Sequence, residues 1–600
     1  MQGKTPKPDL MVPEKKLQNL SFSSASPKAF RHWVDSLPLT NTGESSRQLY
    51  NAIVELNQLD VPPPQQLQLL ELIRPSIHHT GEQLEQHFLG YAITLPEKQR
   101  KIANLSQALQ LHLAHGYKQA LMGLVEKGAP DKQRSSLALA AHRAITDMGA
   151  AILRSAQLYS ATPVRCWHES HQIYRYMLGR QYHQIEVQDT LQGEGHDSTV
   201  EEAYKQLLLF GCCRPNQLRQ RELKQVYTLF AHCAPYTKLE PANGCDSLFL
   251  VDTVRDLPPI YRSQLKDRTS AIDLGFETRD LARLMSNYLD AAQTAKKPQE
   301  PFLGLNYRVS ESVLMHLSQS LGSQSTRTSD RIASHGQLLV ALGMSALHYY
   351  CAAQTHFNAF LANSGETNEQ NFFLSNAQRN DPWASAFDVE NPWHLGSPDA
   401  PINFRGASGS VQDGSQKTDT TYPSYTVPLV NKSPSGYCLK WTAEVPVTLQ
   451  AGEIMGLREG PGEPWSIAVI RWIRQFKEQG THIGVELMAS NASPCGARLV
   501  QKSGQNSEYL RALLLPPVME SGQGHTLITP RLPFQRGHRI MLFHNQQSEQ
   551  TQLSKTLIAT GSISQFALKY APSETGLLGD QNLTDRNSDD EDFDSLWPSL

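Results

Sequence analysis

The residues whose types and spacing are most specific for chemistry form a polar run, N-K-S-P-S-G, at positions 431–436 of the 600-residue chain. A strand-like apolar segment, 437–441, follows it directly. Asn and Ser side chains cap backbone groups in turns, and Gly is the residue that accepts a positive φ. Such a turn leaves an amide and a hydroxyl able to meet the edge of a flat polar ligand. We therefore predict a ligand-binding turn formed by Asn431, Ser433 and Gly436.

The elements that position this turn are predicted to be β-strands. Apolar residues alternate with a period of two from about 425 to 570, most clearly in the segments 467–474, 483–487 and 540–543. Gly-Pro clusters at 460–464 and a Gln479-Gly480 turn separate the strands. Short strands joined by such turns are typical of small antiparallel barrels.

The preceding region has a helical pattern instead. Leu105, Leu109, Leu113 and Leu121 recur at helical spacing and predict one apolar face of a long helix. Similar faces appear in the segments 67–73, 136–159, 202–210, 278–289 and 337–357. Residues 28–361 are therefore predicted to be an all-α region of one or two subdomains.

Composition suggests the remaining divisions of the chain. Residues 362–424 are rich in Asn, Ser, Gly and Asp and are predicted to be a polar linker, and residues 1–27 a disordered segment. The last 25 residues contain seven acids and one Arg, with Phe593 and Trp597 among them. We predict that this tail, 573–600, is disordered, and it either solubilises the chain or docks in a partner groove. The fold class is then α+β multidomain: a helical region, a β-barrel at 425–490 and a second small β-domain at 491–572.

Charge and cysteine usage exclude several classes of function. The formal net charge is −3, whereas nucleic-acid-binding domains are usually strongly basic, so no DNA or RNA partner is predicted. The eight cysteines are scattered without a C-x-x-C pair, which suits a reducing compartment. The stretch 338–353 is too short and polar to span a bilayer. We predict a cytoplasmic protein without a membrane span.

Sequence motifs of catalysis and metal binding are absent or weak. The helix-spaced group Cys166, His168, Glu169 and His171 could imitate metal ligands, but no further ligand follows at a defined spacing. The chain contains no G-x-G-x-x-G loop, no P-loop and no G-x-S-x-G nucleophile elbow. We therefore predict no metal site and no enzymatic activity.

The stretch 431–487 resembles the PilZ domain. The residues that carry the resemblance are the 431–436 turn, the strand A-V-I-R-W-I at 468–473 and I-G-V-E-L at 483–487. PilZ domains are six-stranded bacterial barrels, and many bind the second messenger cyclic di-GMP through an (Asp/Asn)-x-Ser-x-x-Gly turn. The segment 526–540 is more faintly similar to the accessory barrel that accompanies PilZ in flagellar-brake proteins.

The resemblance implies cyclic di-GMP as the ligand, with no other cofactor. In the family, much of the affinity comes from an Arg-x-x-x-Arg pair just before the barrel, whose guanidinium groups grip phosphates and stack on purines. No such pair occurs in the 60 residues before Asn431, where Arg405 is the best-placed cation. Arg327 and Arg331 have the required spacing but lie about 100 residues upstream, so they are the second choice.

The resemblance therefore implies a bacterial signalling protein that binds cyclic di-GMP and relays its presence to a protein partner. The alternative is a scaffold whose barrel binds protein partners without nucleotide. An ordered basic segment within reach of Asn431 favours the first interpretation, and a turn packed against a helix favours the second.

Overall fold

The computed structural model describes residues 6–90, 93–127, 133–189, 191, 197–265, 273–294, 300–323, 332–362, 422–442, 444–476, 480–500, 507–517 and 524–570. The α-helices of this part of the chain are α1 Pro27–Asp35, α2 Thr42–Gln58, α3 Pro63–Glu85, α4 Glu97–Glu126, α5 Arg134–Gln157, α6 Cys166–Gly179, α7 Val200–Cys212, α8 Gln220–Cys233, α9 Arg279–Thr294, α10 Glu311–Gly322, α11 Gly343–Cys351 and α12 Phe357–Ala362. The predicted linker residues 363–421 and the predicted tail, 573–600, lie outside the described residues.

Helix α4 confirms the clearest helical prediction. Leu109, Leu113 and Leu121 are buried on it, and they belong to one apolar core that extends over the helical region. Local sequence also determines where helices begin. Thr199 accepts a hydrogen bond from the Glu202 backbone amide while the Glu202 carboxylate accepts one from Thr199, so a capping box starts α7.

The N-terminal segment differs from its prediction of disorder. Residues 6–26 lie along the helices, and the backbone amide of Met11 donates to Glu169 over 2.8 Å. Gln119 donates to the Pro13 carbonyl over 2.8 Å, and Leu17 forms a parallel bridge with Leu59. Composition missed this order because the segment is held by backbone hydrogen bonds, which every residue can make, and by a few scattered apolar side chains such as Leu20 that pack on the helical core.

The helical region also contains strands that the sequence pattern did not reveal. β1 Glu186–Gln188 pairs with β2 Asp197–Thr199. A four-stranded sheet has the order β3-β6-β4-β5, from β3 Lys238–Pro241, β4 Phe249–Val251, β5 Ile260–Tyr261 and β6 Leu274–Glu277. These strands have at most four residues each, so they are too short to display a clear period of two.

The middle barrel is closed by six antiparallel strands. They are β8 Gln337–Leu342, β9 Ser424–Ser433, β10 Gly436–Trp441, β11 Ile454–Arg458, β12 Ser466–Phe476 and β13 Gly480–Ala489, with β7 Ile332–Ala333 added on β9. The order β10-β13-β12-β11-β8-β9 closes through the β9–β10 pairing. Strand β8 comes from the segment predicted to be helical, so the prediction for 337–342 is wrong and the helix begins only at Gly343.

The C-terminal barrel is a second closed structure with the order β14-β15-β16-β19-β18-β17. Its strands are β14 Ser493–Leu499, β15 Leu510–Leu515, β16 Thr526–Pro530, β17 Arg539–His544, β18 Gln547–Ala559 and β19 Ile563–Tyr570. Helix α11 lies between the two barrels, where Leu347 packs with Ile467 of the middle barrel and Leu513 of the C-terminal barrel. The predicted fold class, helices followed by two β-domains, is confirmed. No helix within the described ranges is both long and apolar enough to cross a membrane.

Three buried histidines are expected to make the folded protein less stable at acidic pH. Burial lowers the pKa to about 3 at His142 and His348 and to about 4 at His171. Unfolded histidine titrates near 6.5, so below that pH the unfolded chain binds more protons than the folded chain. Each of these three histidines should therefore lower the free energy of unfolding by about 1.4 kcal/mol for each pH unit as the pH falls from 6.5 towards 4.

We therefore expect the urea midpoint to fall steeply between pH 7.5 and pH 5.5. A His348→Leu variant should reduce the slope, because it removes one of the groups that must protonate. Equal midpoints at the two pH values would contradict the assignment of these histidines as buried and neutral.

The β9–β10 hairpin as candidate ligand site

The predicted binding turn is the hairpin that joins β9 to β10. Ser433 and Gly436 face each other across it, and Pro434 and Ser435 form a two-residue connection that is exposed to solvent. The Ser433 hydroxyl donates to the Gly436 carbonyl over 3.1 Å. The Leu487 amide donates to the Ser435 carbonyl over 3.0 Å, which ties the connection to the end of β13. The hairpin is rigidly held yet open on its outer side.

Gly436 is required for a different reason from the one predicted. Its φ is not positive, so the turn does not use the conformational freedom of glycine. A Cβ at this position would instead overlap the Val485 carbonyl of the adjacent strand. Gly436 therefore allows β10 to approach β13 closely.

Asn431 lies in a cross-strand row on the outer face of the barrel. The row crosses four neighbouring strands. Asn431 of β9 is opposite Cys438 of β10, and Cys438 is also opposite Gly484 of β13. On the other side of β13, Gly484 is opposite Trp472 of β12. Neighbouring inward positions such as Val485 belong to the apolar core, so side chains of this row point outward. Asn431 is half-buried, and its side chain makes no hydrogen bond to any described residue. An amide held in place but without a partner is available to a ligand.

Trp472 was missed by sequence reasoning, because its pairing with Gly484 depends on the register of two strands. Its indole lies against Gly484, where any Cβ would overlap the ring. Gly484 thus lets a large aromatic side chain lie flat on the outer face of the sheet. A flat aromatic surface in the same row as Asn431 is suited to stacking with a purine.

Strand β8 and the short strand β7 determine which part of the chain precedes the barrel. Gln337 to Ala341 run antiparallel to the 424–428 part of β9, and further along β9 Ile332 is opposite Lys432. Ala333 is opposite Asn431 itself. The segment before the barrel therefore ends beside the predicted binding turn.

Because β7 pairs with β9 beside the turn, Arg327 and Arg331 become the preferred candidates for the cations of the site, ahead of Arg405. Arg331 is the residue directly before Ile332 in the chain, and Arg327 lies four residues earlier. Arg405, the first choice from the sequence, lies within the segment 363–421. All three arginines lie outside the described residues, so their contacts stay predictions.

Charged groups surround the hairpin. Lys432 is exposed, and Arg471 donates to Glu486 over 2.6 Å, where Glu486 is the residue opposite Gly436. Tyr437 donates to Glu459 over 2.9 Å, and burial together with this carboxylate raises the pKa of Tyr437 to about 12. Its phenol is therefore a neutral donor at physiological pH.

The residues of α6 that could imitate metal ligands contact protein groups instead. His171 contacts the Tyr204 hydroxyl at 2.7 Å and the Leu257 carbonyl at 3.0 Å. Glu169 pairs with the buried Lys118 ammonium, and His168 contacts the Val254 carbonyl at 2.9 Å. In the part of the chain that the structure describes, no three His, Cys, Asp or Glu side chains are grouped so that they could hold a metal ion.

Comparison with known proteins agrees with this architecture. A family model described as the middle PilZ domain of the cyclic-di-GMP receptor FimW matches residues 248–494. The models for the FimW N-terminal domain and the FimW C-terminal beta-barrel domain match residues 28–242 and 495–571. No solved structure matches the chain significantly.

These matches define the class: a PilZ-domain protein with a helical N-terminal domain and a second barrel. A curated protein of Pseudomonas aeruginosa, named cyclic-di-GMP receptor FimW, is 41% identical over 616 aligned residues, which cover 100% of each chain. The chain described here belongs to the FimW family.

Proposed function

We propose that this chain is a cyclic di-GMP receptor that binds its ligand on the outer face of the middle barrel, at the β9–β10 hairpin. The observation that carries the proposal is the pairing of Ala333 with Asn431. It brings the chain that follows Arg327 and Arg331 to the side of the turn. An arginine pair of family-like spacing therefore directly precedes the barrel, although Arg331 is 100 residues from Asn431 in sequence.

Each part of the proposed site matches one part of the ligand. Asn431 and Ser433 offer short donors and acceptors to a guanine edge. The Trp472 ring offers a stacking surface, and the guanidinium groups of Arg327 and Arg331 provide paired donors for phosphate oxygens. The proposed site is thus made of two chain segments, and ligand binding would join them.

The open hairpin favours ligand binding over the alternative of a ligand-free scaffold. Pro434 and Ser435 are exposed, and Asn431 keeps an unpartnered amide among the described residues. We propose that the ligand joins the segment before β7 to the hairpin and that a protein partner in the cytoplasm recognises the ligand-bound protein. No catalytic step is required for this role.

Removing the Ser433 hydroxyl should weaken binding moderately. A neutral hydrogen bond is worth about 0.5–1.5 kcal/mol, so Ser433→Ala should raise the dissociation constant for cyclic di-GMP about three- to tenfold. Calorimetric titration of the full chain measures this change. The matched control is Ser435→Ala, since Ser435 lies in the same connection but is exposed and outside the proposed contacts.

Equal affinities for the Ser433→Ala variant and the unaltered chain would remove Ser433 from the site. Absence of binding by the unaltered chain at millimolar ligand would leave the scaffold alternative as the better account.

A further inference from the structure

A second charged surface lies on the C-terminal barrel, far in sequence from the hairpin. We call it the basic face, and it consists of Arg536, Arg539, Lys555 and Lys569, which are all exposed. Arg539 and Lys569 are both opposite Gln552 of β18, one from each side. They are therefore two strand spacings apart, about 10 Å. Arg536 donates to the Ser554 carbonyl over 2.9 Å, which brings it to the same stretch of β18 as Lys555.

Three residues of the basic face, Arg539, Lys555 and Lys569, have no acidic neighbour among the described residues. No Asp or Glu occurs in the segments 535–541, 551–556 or 565–570 that carry it. Within the described residues, Arg539, Lys555 and Lys569 have no carboxylate within 4.0 Å, and the nearest acid along β18, Glu549, pairs with His544 at 2.9 Å. Like charges so close together repel one another unless an anion lies between them.

The chain itself supplies a strongly acidic segment next to this surface. Residues 493–570 contain eight Lys and Arg against three Asp and Glu, a formal charge of +5. Residues 571–600 contain eight Asp and Glu against one Arg, a formal charge of −7. They follow directly after β19, the strand that carries Lys569. They also lie almost wholly beyond the residues matched by the family models.

We propose that the acidic segment 571–600 of this chain docks on the basic face of its own C-terminal barrel. The D-D-E-D run at 589–592 begins 19 residues after Tyr570. An unstructured chain of this length has a root-mean-square span of about 24 Å, enough to return to a surface about 10 Å wide. Covalent linkage gives such a segment a local concentration in the millimolar range, which a separate anionic partner must exceed.

Carbodiimide coupling of the full-length chain tests the docking, because it joins carboxylates to amines that are in direct contact. Mass spectrometry should find carboxylates of the tail joined to Lys555 or Lys569 within one molecule. The yield should fall several-fold in 1 M salt, where charges are screened beyond about 3 Å. Arg539→Gln should lower the yield about threefold or more without removing a reactive amine. The control Arg283→Gln changes an exposed arginine of α9 and should leave the yield unchanged.

Three results would overturn the proposal. Coupling of the tail to Lys98, an exposed lysine of α4, as often as to Lys555 and Lys569 would show that the tail has no preferred surface. Coupling found only between isotopically labelled and unlabelled chains would assign the basic face to a second copy. A yield that is insensitive to both salt and Arg539→Gln would exclude an electrostatic docking.

Discussion

Replacing Arg331 by alanine is expected to weaken cyclic di-GMP binding by about 10- to 100-fold. A hydrogen bond to a charged group is worth about 1.5–3 kcal/mol, and each 1.4 kcal/mol corresponds to a factor of ten in affinity. Arg331 directly precedes Ile332, which is opposite Lys432 in the candidate hairpin. The Arg327→Ala variant should lose a similar amount, since the two guanidinium groups are proposed to hold the same phosphates. Calorimetric titration of each variant measures the effect.

The matched control is Arg405→Ala, which changes the cation that the sequence alone favoured. We expect its affinity to remain within twofold of the unaltered chain. If Arg405→Ala abolished binding while Arg331→Ala did not, the linker rather than the segment before β7 would supply the phosphate contacts. The assignment of the arginine pair would then be wrong even though the hairpin still bound the ligand.

Replacing Arg219 by alanine is expected to destabilise the contact between the three domains by about 3–5 kcal/mol, the usual cost of breaking a buried ion pair. Arg219 is buried, and its guanidinium donates to the Ala451 carbonyl over 3.2 Å and lies 3.4 Å from Glu453. The same group donates to Ser562 of the C-terminal barrel. One side chain from the helical region thus contacts both barrels, and its loss removes the hydrogen bonds and the ion pair that connect them.

Urea unfolding measures this loss, with Arg221→Ala as control, because Arg221 is exposed on the same helix. The double variant Arg219→Ala with Glu453→Gln should recover part of the stability, since the carboxylate that paired with Arg219 is then replaced by a neutral amide. A midpoint for Arg219→Ala equal to that of the control would contradict the role of Arg219 as the residue that joins the domains.

The sequence predicted the helical region and the two barrels because their residues repeat over long segments. Leu109 and Leu113 repeat at helical spacing, and Ile483 and Val485 alternate as core residues of a strand. Strand β8 was missed because its six residues include five that are apolar, so no alternation distinguishes a buried strand from the helix that follows.

The sequence predicted a turn at 431–436, and the structure has a hairpin there, but the order of preference among its candidate cations changes for a topological reason. If the barrel began near residue 425, as the sequence pattern predicts, the arginines of the segment before it would lie just before Asn431 in the sequence. The first barrel strand, β8, lies before the segment 363–421 rather than after it. The residues of β8 and β9 alone do not indicate that these two strands pair across the segment 363–421. Trp472 was missed similarly, because its position over Gly484 depends on the register of two strands.

Hydrogen–deuterium exchange of the full chain, with and without cyclic di-GMP, locates the ligand without any substitution. Binding at the hairpin should slow exchange in two segments that are distant in sequence, 324–334 and 430–437. Helix α9 serves as an internal reference and should be unaffected. Protection confined to other parts of the chain, or none at saturating ligand, would contradict the placement of the cyclic di-GMP site at this hairpin.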